Sequence, residues 1–336
     1  MQPPARRPRA LFAMGRRHRD TLFPAPAVRR LTGWVDIDPD EVAEDFSRAP
    51  ALHAAEILIT SWGCPAIDGD VLARAPALKA VVHAAGSVKH HVTRACWDRG
   101  IRVSSAAAAN AVPVAEYTVA AVLLANKRVL EIGALYREHR APLDWSRRFP
   151  GFGNYRRTVG VVGASLVGRK VLELLRPHDL DLLLADPHVD AEQARRLGAR
   201  QVELDELVAA SDVVSLHAPE LPETRHLMDA RRLALMRDGA TLVNTARGSL
   251  VDTGALTAEA ATGRIHAVVD VTEPEVLPAG SPLYRLPNVL LTPHIAGSLG
   301  GELGRITHSA LDEIERYCAG RPFAHAVRHE ALSTSA

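Results

Sequence analysis

The sequence predicts an α/β protein with two Rossmann-like or flavodoxin-like parallel-sheet domains and a cleft between them. Short apolar runs alternate with helical patterns along most of the 336 residues, which is typical of βαβ units. The runs form two series, separated by a long helical stretch that is apolar on nearly every side. A glycine-rich turn follows the first strand of the second series, as in dinucleotide-binding folds.

The first series predicts four strands, and the helical patterns between the later ones end at Pro76 and Gly100. The strand-like runs are ALFAM (10–14), AEILITS (55–61), LKAVVHA (78–84) and IRVSS (101–105). The stretch NAVPVAEYTVAAVLLANKR follows, with Asn110 as a predicted cap and Pro113 near the first turn. Because this stretch is apolar all round, we expect a buried helix that passes between the domains.

The second series predicts seven strands, with helical segments between most of them. They are RTVGVVG (157–163), DLDLLLAD (179–186), ARQVEL (199–204), DVVSLHAP (212–219), ATLVNTA (240–246), IHAVVDV (265–271) and NVLLTPH (288–294). Two of these helical segments should end at Gly239 and Gly263, because glycine readily adopts the left-handed backbone conformation that commonly ends a helix. The series predict α/β units near residues 1–111 and 112–300, and the helical pattern over 300–320 could belong to either.

Composition narrows the class of protein. With 47% hydrophobic residues and a net charge of +1, the chain can bury a large core and shows no polyanion-binding character. No apolar run is expected to reach the ~20 residues that span a bilayer, and the N-terminal apolar run is too short for a signal peptide. Three cysteines without C-x-x-C spacing favour reduced thiols and a cytoplasmic protein. We therefore expect neither a nucleic-acid partner nor a membrane.

The stretch GVVGASLVGRK (160–170) is close to two different motifs. A serine hydrolase elbow requires glycine two residues after the serine, and Val167 stands there instead. A dinucleotide fingerprint fits better, because Gly163 and Gly168 lie between a strand and a helix, and Asp186 ends the next strand. The amides around Leu166 and Val167 would then face a pyrophosphate. Ser165 replaces the middle glycine, and we interpret it as a cofactor-site residue whose hydroxyl donates to phosphate.

Asp186 also predicts which cofactor binds. A carboxylate at the end of the second strand hydrogen-bonds the adenosine ribose hydroxyls and repels a 2′-phosphate, which favours NAD (as NADH) over NADP.

Three further motifs follow three consecutive strands of the second series. Arg247 lies in NTARGSLVD, an acid lies within 273–275 of DVTEPEVLP, and His294 lies in LTPHIAGS. The carboxyl ends of parallel strands share one edge of a sheet, so these side chains should converge. Arginine binds carboxylate through a bidentate fork, histidine moves a hydroxyl proton, and an acid orients the imidazole. This set suits hydride transfer on a hydroxy or keto acid, and no metal is required.

These motifs resemble the D-isomer-specific 2-hydroxyacid dehydrogenase family over nearly the whole chain. Asn244, Arg247, Gly248, Val251 and Asp252 match its N-x-x-R-G-x-x-V-D motif, and Thr292, Pro293 and His294 match T-P-H. The resemblance implies that the cofactor is contacted by Ala218, Pro219, Thr245, Ala246, Asp270, His294 and Gly297, with Asp270 on the nicotinamide amide. It also implies that a loop in HAAGSVK holds the substrate carboxylate through Gly86, Ser87 and Val88, followed by Lys89. Asn110 with Val114, Ala115 and Glu116 resembles the family's domain-junction motif.

The acidic motif departs from the family pattern. The family usually has an aspartate, four residues, and then glutamate followed by proline. Here Glu275 has that spacing from Asp270 but precedes Val276, whereas Glu273 precedes Pro274. Spacing assigns the pairing with His294 to Glu275, and Glu273 is the alternative.

The resemblance implies an architecture as well. The substrate domain would be discontinuous, comprising residues 1–111 and 301–336, and residues 112–300 would form the NAD-binding domain. The protein would be a homodimer joined through its cofactor domains, and it would interconvert a small anionic 2-keto acid and its D-2-hydroxy acid.

Two alternatives belong to other classes of function. A relative acting on phosphite or a phosphonate keto acid would use Lys89 and the nearby His83, His90 and His91 for an extra anionic group. A non-catalytic NAD-sensing protein of the corepressor type would bind a peptide without turnover, which the intact Arg, Glu and His set argues against.

Overall fold

The computed structural model describes residues 6–333, which divide into two compact units. One comprises the described residues up to Ala111 and from Ser298 onward, and the other is Val112–Gly297. The chain therefore re-enters the first unit at Ser298, a few residues before the expected boundary at 300–301. The helix over 300–320, which the residues alone assigned to neither domain, belongs to the first unit.

The first unit is built on a five-stranded sheet. Its parallel strands are β1 (Ala10–Ala13), β2 (Ile57–Thr60), β3 (Ala80–His83) and β4 (Arg102–Ser105), in that order, and the short strand Ala326–Val327 pairs antiparallel with β4. The helices of its N-terminal part are α1 (Arg16–Leu22), α2 (Ala25–Thr32), α3 (Gly69–Arg74) and α4 (Arg94–Asp98). Nearly every residue of the four parallel strands is buried, because apolar clusters cover both faces of the sheet.

The long helix α5 (Ala107–Asn126) begins earlier than the sequence predicts. Asn110 is therefore inside the helix and not its cap, and its side-chain oxygen accepts a hydrogen bond from the amide of Ser298 at 3.0 Å. Pro113 lies in the second turn of the helix and not in its first.

Two further expectations about α5 are wrong. The helix is not buried all round, because Glu116, Ala120 and Leu124 form an exposed stripe at helical spacing. By length and composition it is also apolar enough to cross a membrane, with a mean hydropathy of 1.5, contrary to the expectation that no apolar run reaches that length. Ala115 and Val122 are fully buried in the core of the second unit, so this part of α5 is a core helix.

The second unit contains a seven-stranded parallel sheet. Its strands are β5 (Arg157–Val162), β6 (Leu180–Ala185), β7 (Arg200–Gln201), β8 (Val213–Leu216), β9 (Thr241–Asn244), β10 (His266–Val269) and β11 (Val289–Leu291). Their order is β11-β10-β9-β8-β5-β6-β7. The order changes direction between β5 and β8, which is the switch point where doubly wound sheets bind ligands.

Apolar clusters cover both faces of this sheet, and further helices of the second unit follow α5 along the chain. These helices are α6 (Val129–His139), α7 (Trp145–Arg148), α8 (Leu166–Leu175), α9 (Ala191–Arg196), α10 (Leu204–Ala210), α11 (Ala230–Leu235) and α12 (Thr253–Ala261). Helix α11 stops before the predicted end at Gly239, because Met236 is extended and buries its side chain. The final helix, α13 (Leu303–Cys318), packs Ile306 and Ile314 into the core of the first unit.

Candidate active site

The glycine turn after β5 is held by close packing. Gly163 has φ +94°, and a Cβ there would lie 2.7 Å from the amide nitrogen of Ala218 in the loop after β8. A Cβ on Gly168 would overlap the carbonyl oxygen of Gly163. Both positions therefore require glycine, one for its backbone conformation and both for the close approach of their neighbours.

Ser165 does not need the backbone freedom of glycine. The structure gives it a helix-capping function that the sequence analysis missed. It is the N-cap of α8, with φ −63°, and its hydroxyl oxygen accepts a hydrogen bond from the amide of Gly168 at 3.3 Å. Serine is among the preferred N-cap residues. The next two amides, of Leu166 and Val167, belong to the first turn of the helix and have no carbonyl partner within it. The turn therefore fits a pyrophosphate, whose charge the helix N-terminus favours.

Asp186 follows β6 and adjoins the glycine turn. Its carboxylate oxygens accept hydrogen bonds from the amides of Ala164 at 2.6 Å and His188 at 2.8 Å. The side chain remains partly exposed, so its other lone pairs are open to ribose hydroxyls. Gly163, the first turn of α8 and Asp186 together form a site that fits NAD.

The loop after β9 carries Arg247. Buried Asn244 holds this loop from both sides, because its side chain donates to the carbonyl of Arg247 at 2.9 Å and accepts from the amide of Ala246 at 3.1 Å. Thr245 is buried, and its hydroxyl lies 2.8 Å from that of Thr118. The guanidinium of Arg247 donates to the carbonyl of Ala246 at 2.6 Å and stays 32% exposed. One guanidinium nitrogen is therefore fixed by the backbone, and the side chain remains partly accessible to a ligand.

The loops after β9 and β10 are in contact. A Cβ on Gly248 would overlap the backbone of Thr272 and Glu273, so glycine follows Arg247 because the next loop passes directly over it. This packing connects the arginine loop with the acidic loop, as the strand-end argument predicts.

The acidic loop separates its two glutamates. The Oε1 atom of Glu275 lies 2.6 Å from Nδ1 of His294, whereas Glu273 accepts a hydrogen bond from Arg225 at 2.8 Å. Of the two candidates, Glu275 is therefore the one that the structure brings to the histidine. Arg225 holds the pKa of the Glu273 carboxyl below its usual range through a direct hydrogen bond.

His294 stands in a strained backbone conformation, with φ +55°. A residue other than glycine in this region costs about 1–3 kcal/mol, and such residues cluster at functional sites. Hydrogen bonds to Asp270 maintain this conformation. Its main-chain oxygen accepts from the His294 amide at 2.8 Å, and its carboxylate accepts from the amides of Ile295 and Ala296, each at 2.8 Å. The strained turn presents the imidazole 53% exposed to solvent.

Asp270, which the resemblance places at the nicotinamide amide, is engaged within the chain in this structure. Asp270 is buried, and Thr292 also donates to it at 2.6 Å. The Thr292 hydroxyl in turn lies 2.9 Å from that of Tyr117, and burial raises the pKa of Tyr117. Sequence reasoning missed Tyr117, whose only signal was its position in a helix that is otherwise mostly apolar.

The remaining predicted cofactor residues lie at the carboxyl edge of the same sheet. Ala218 is buried, and the partly buried residues are Pro219, Ala246 and Gly297.

In the first unit, the loop after β3 contains the predicted carboxylate-binding residues. Val88 is buried, while Gly86, Ser87 and Lys89 are partly exposed. The amides of residues 86–88 make no backbone hydrogen bond within the described part of the chain. A Cβ built on Gly86 would lie 3.6 Å from the side-chain nitrogen of Asn110, which is an ordinary van der Waals contact.

The histidines near this loop do not provide a cationic cluster. His83 and His91 are buried with their rings 4.4 Å apart. Burial lowers the pKa of His83 well below its ordinary value and that of His91 to about 4. Both rings are therefore neutral at neutral pH, so neither His83 nor His91 offers a charge to a second anionic group on the substrate. Within residues 6–333, no group of three or more His, Cys, Asp or Glu side chains is arranged to hold a metal ion.

Fold and site together define a dinucleotide-binding oxidoreductase with a doubly wound domain and a Glu–His pair at its ligand-binding edge. Residues 119–296 match the family described as D-isomer specific 2-hydroxyacid dehydrogenase, NAD binding domain. The chain belongs to that family, and its second unit is the NAD-binding domain.

Named relatives agree with this assignment. The chain is 33% identical over 291 residues to D-3-phosphoglycerate dehydrogenase of Mycobacterium tuberculosis, covering 85% of this chain and 53% of that protein. It is 30% identical to glyoxylate reductase of Aeropyrum pernix, covering 89% and 90%. The solved D-lactate dehydrogenase of Aquifex aeolicus, complexed with NAD and lactic acid, has a TM-score of 0.70 at 26% identity, covering 93% and 95%. The chain thus spans about half the length of the phosphoglycerate dehydrogenase that it matches.

Proposed function

We propose that this protein is an NAD-dependent dehydrogenase that interconverts a small 2-keto acid and its D-2-hydroxy acid. The observation that carries the proposal is the contact between His294 and Glu275, formed on a strained turn at the ligand-binding edge of an NAD-binding domain. A histidine with a carboxylate on one nitrogen is the arrangement that general acid–base catalysis uses.

In reduction, the guanidinium of Arg247 binds the substrate carboxylate and polarises the keto oxygen. His294 donates the proton that this oxygen gains. Because Glu275 occupies Nδ1, the proton is donated from Nε2, and Glu275 stabilises the imidazolium before transfer. NADH, when bound, supplies the hydride that reaches the carbonyl carbon. In the same proposal, the amides of Gly86, Ser87 and Val88 bind the substrate carboxylate, on the strength of the sequence motif.

The proposal is tested by screening 2-keto acids with NADH and following the loss of NADH absorbance, with chiral analysis of the product. We expect reduction of at least one small keto acid to the D product, and a loss of about 100-fold or more in His294→Gln. Binding of NADH without turnover of any acid would overturn the proposal and favour a sensing protein.

Cofactor preference is a separate test of Asp186. We expect kcat/KM to be higher with NADH than with NADPH, because the carboxylate beside the glycine turn repels a 2′-phosphate. Equal or higher efficiency with NADPH contradicts this assignment.

We also propose a cytoplasmic homodimer that associates through the second unit. Leu124, Val129, Leu130 and Tyr136 are exposed on α5 and α6, and adjacent exposed apolar side chains mark association surfaces. Light scattering of the native protein and of Leu124→Asp tests the proposal. A monomeric native protein contradicts it.

A further inference from the structure

Glu220 lies at the ligand-binding edge of the second unit but has no part in the proposed chemistry. It follows Ala218 and Pro219 in the loop after β8, and its carboxylate faces the arginine loop. One oxygen, Oε1, accepts a hydrogen bond from the buried hydroxyl of Ser249 at 2.7 Å. The other, Oε2, lies 4.0 Å from Nε of Arg247. The carboxylate is thus anchored beside the guanidinium that is proposed to bind substrate.

Glu220 has two cationic neighbours: Arg247 is the nearer, and Arg225, which also interacts with the charge of Glu220, is hydrogen-bonded to Glu273. Arg225 is paired with Glu273 at 2.8 Å. His226 lies 3.7 Å from Glu273 and 4.0 Å from Asp252. Among the ion pairs of the described residues, Arg247 has Glu220 as its acidic partner. Glu220 remains 52% exposed, so its charge is directed towards solvent and any ligand there.

We propose that Glu220 determines the charge of the substrate that this site accepts. The inference rests on the proposed function. When the substrate carboxylate binds Arg247, it neutralises the guanidinium charge that otherwise compensates the negative charge of Glu220. A second negative charge on the substrate side chain then meets a carboxylate whose other cationic neighbour, Arg225, is already paired with Glu273. That charge is repelled, whereas a neutral or cationic side chain is not.

The inferred substrate is therefore a 2-keto acid whose only negative charge is its own carboxylate. A phosphorylated hydroxy acid, such as the one in the name of the mycobacterial relative, is inferred to be a poor substrate.

The test compares kcat/KM for three keto acids of equal main-chain length: 2-oxopentanoate (neutral side chain), 2-oxoglutarate (anionic) and 2-oxo-5-guanidinopentanoate (cationic). In the wild type we expect 2-oxoglutarate to be the poorest of the three. In Glu220→Gln the ratio of 2-oxopentanoate to 2-oxoglutarate should fall about three- to tenfold, the size expected of a partly solvated charge pair. The change should shrink with added salt.

Ser249→Ala is the matched control, because it removes the anchoring hydrogen bond and keeps the charge of Glu220. It should keep the wild-type order of the three acids, whereas a purely structural role of Glu220 predicts that both variants behave alike. A change in the KM for NADH without a change in the acid ratio would overturn the inference and assign Glu220 to the cofactor.

Failure of the proposed function gives a different result. If no acid is reduced by either protein, binding of the same three acids to the NADH-loaded protein is measured by calorimetry. Equal affinity of wild type for 2-oxopentanoate and 2-oxoglutarate then overturns the inference. A preference that disappears in Glu220→Gln supports it even though the reaction is wrong.

Discussion

Each unit has histidines close to the carboxyl end of one of its strands, and the two sites differ in their hydrogen-bond partners and in burial. In the first unit, the Thr60 hydroxyl lies 2.9 Å from Nδ1 of His83 and 3.2 Å from Nε2 of His91, and all three residues are buried. In the second unit, His294 contacts a carboxylate and is about half exposed.

The difference shows what makes a strand-end histidine chemically useful. A hydroxyl carries one hydrogen, so Thr60 donates to one ring and must accept from the N–H of the other, and this arrangement suits two neutral imidazoles. Burial reinforces it by lowering both pKa values. His294 instead has a carboxylate on one ring nitrogen and a ring that is accessible to a ligand, which is the arrangement that general acid–base catalysis uses. The first pair is suited to holding structure, and the second to moving protons.

The largest expected effect is at Arg247, and it tests whether the edge of the second sheet carries the chemistry. Arg247→Lys keeps the positive charge but loses the planar fork, so kcat/KM for keto-acid reduction should fall about 100-fold or more. Arg225→Lys is the matched control, because Arg225 pairs with Glu273, and we expect its activity to stay near the wild-type value. Near-normal activity of Arg247→Ala would exclude the proposed site.

The next effect separates Glu275 from Glu273. Glu275→Gln removes the negative charge that favours the imidazolium of His294, so reduction should slow about tenfold or more at neutral pH. The basic limb of the kcat/KM profile should move towards acid. Glu273→Gln, the matched control, should leave the profile unchanged. A shift in Glu273→Gln alone would reverse the assignment, and no shift in either would mean that the Glu–His contact does not assist catalysis.

The buried pair of the first unit should affect stability rather than turnover. The pKa of His91 is about 4 in the folded protein, below the ordinary value of 6.5. As pH falls from 6.5 towards 4, the unfolded chain therefore takes up a proton that folded His91 does not, and the free energy of unfolding decreases. One such histidine contributes a slope of up to ~1.4 kcal/mol per pH unit in this window.

His91→Gln should flatten that slope, whatever it does to stability at pH 7. Urea unfolding at several pH values measures it. His53→Gln is the control, since His53 is exposed, whereas the charge of His90 itself lowers the pKa of His91; we expect His53→Gln to keep the wild-type slope. An unchanged slope in His91→Gln would mean that the two histidine sites do not differ as described.

The smallest effect is expected at Ser165, which we expect to adjust NADH affinity without taking part in the reaction. Glycine is nearly as good an N-cap as serine, so Ser165→Gly should change the free energy of unfolding by a few tenths of a kcal/mol. Loss of the hydroxyl should change NADH affinity by ~1 kcal/mol, one net hydrogen bond, with kcat nearly intact. Fluorescence titration with NADH and steady-state kinetics measure both. A loss of turnover by orders of magnitude in Ser165→Ala would mean that Ser165 takes part in chemistry.

Much of the fold could be predicted because strand signals are local. Each of the eleven predicted runs contains a strand of the structure, since buried parallel strands need consecutive apolar residues. The errors lie where tertiary packing decides. Helix α5 extends back to Ala107, and α11 ends early where Met236 enters the core.

By itself, the sequence determined the order of strands, turns and motifs, and hence that Arg247, His294 and an acid follow neighbouring strands. It also identified Gly163 and Gly168 as part of a dinucleotide-binding turn, because they lie between a strand and a helix and an acid ends the next strand. Only the tertiary structure decided between Glu273 and Glu275, whose identical side chains lie two residues apart in one loop. It alone brought Glu220 to Arg247, and Asp270 to the amides after His294. Such contacts join different loops, and the distance between them depends on how those loops pack and not on any local pattern.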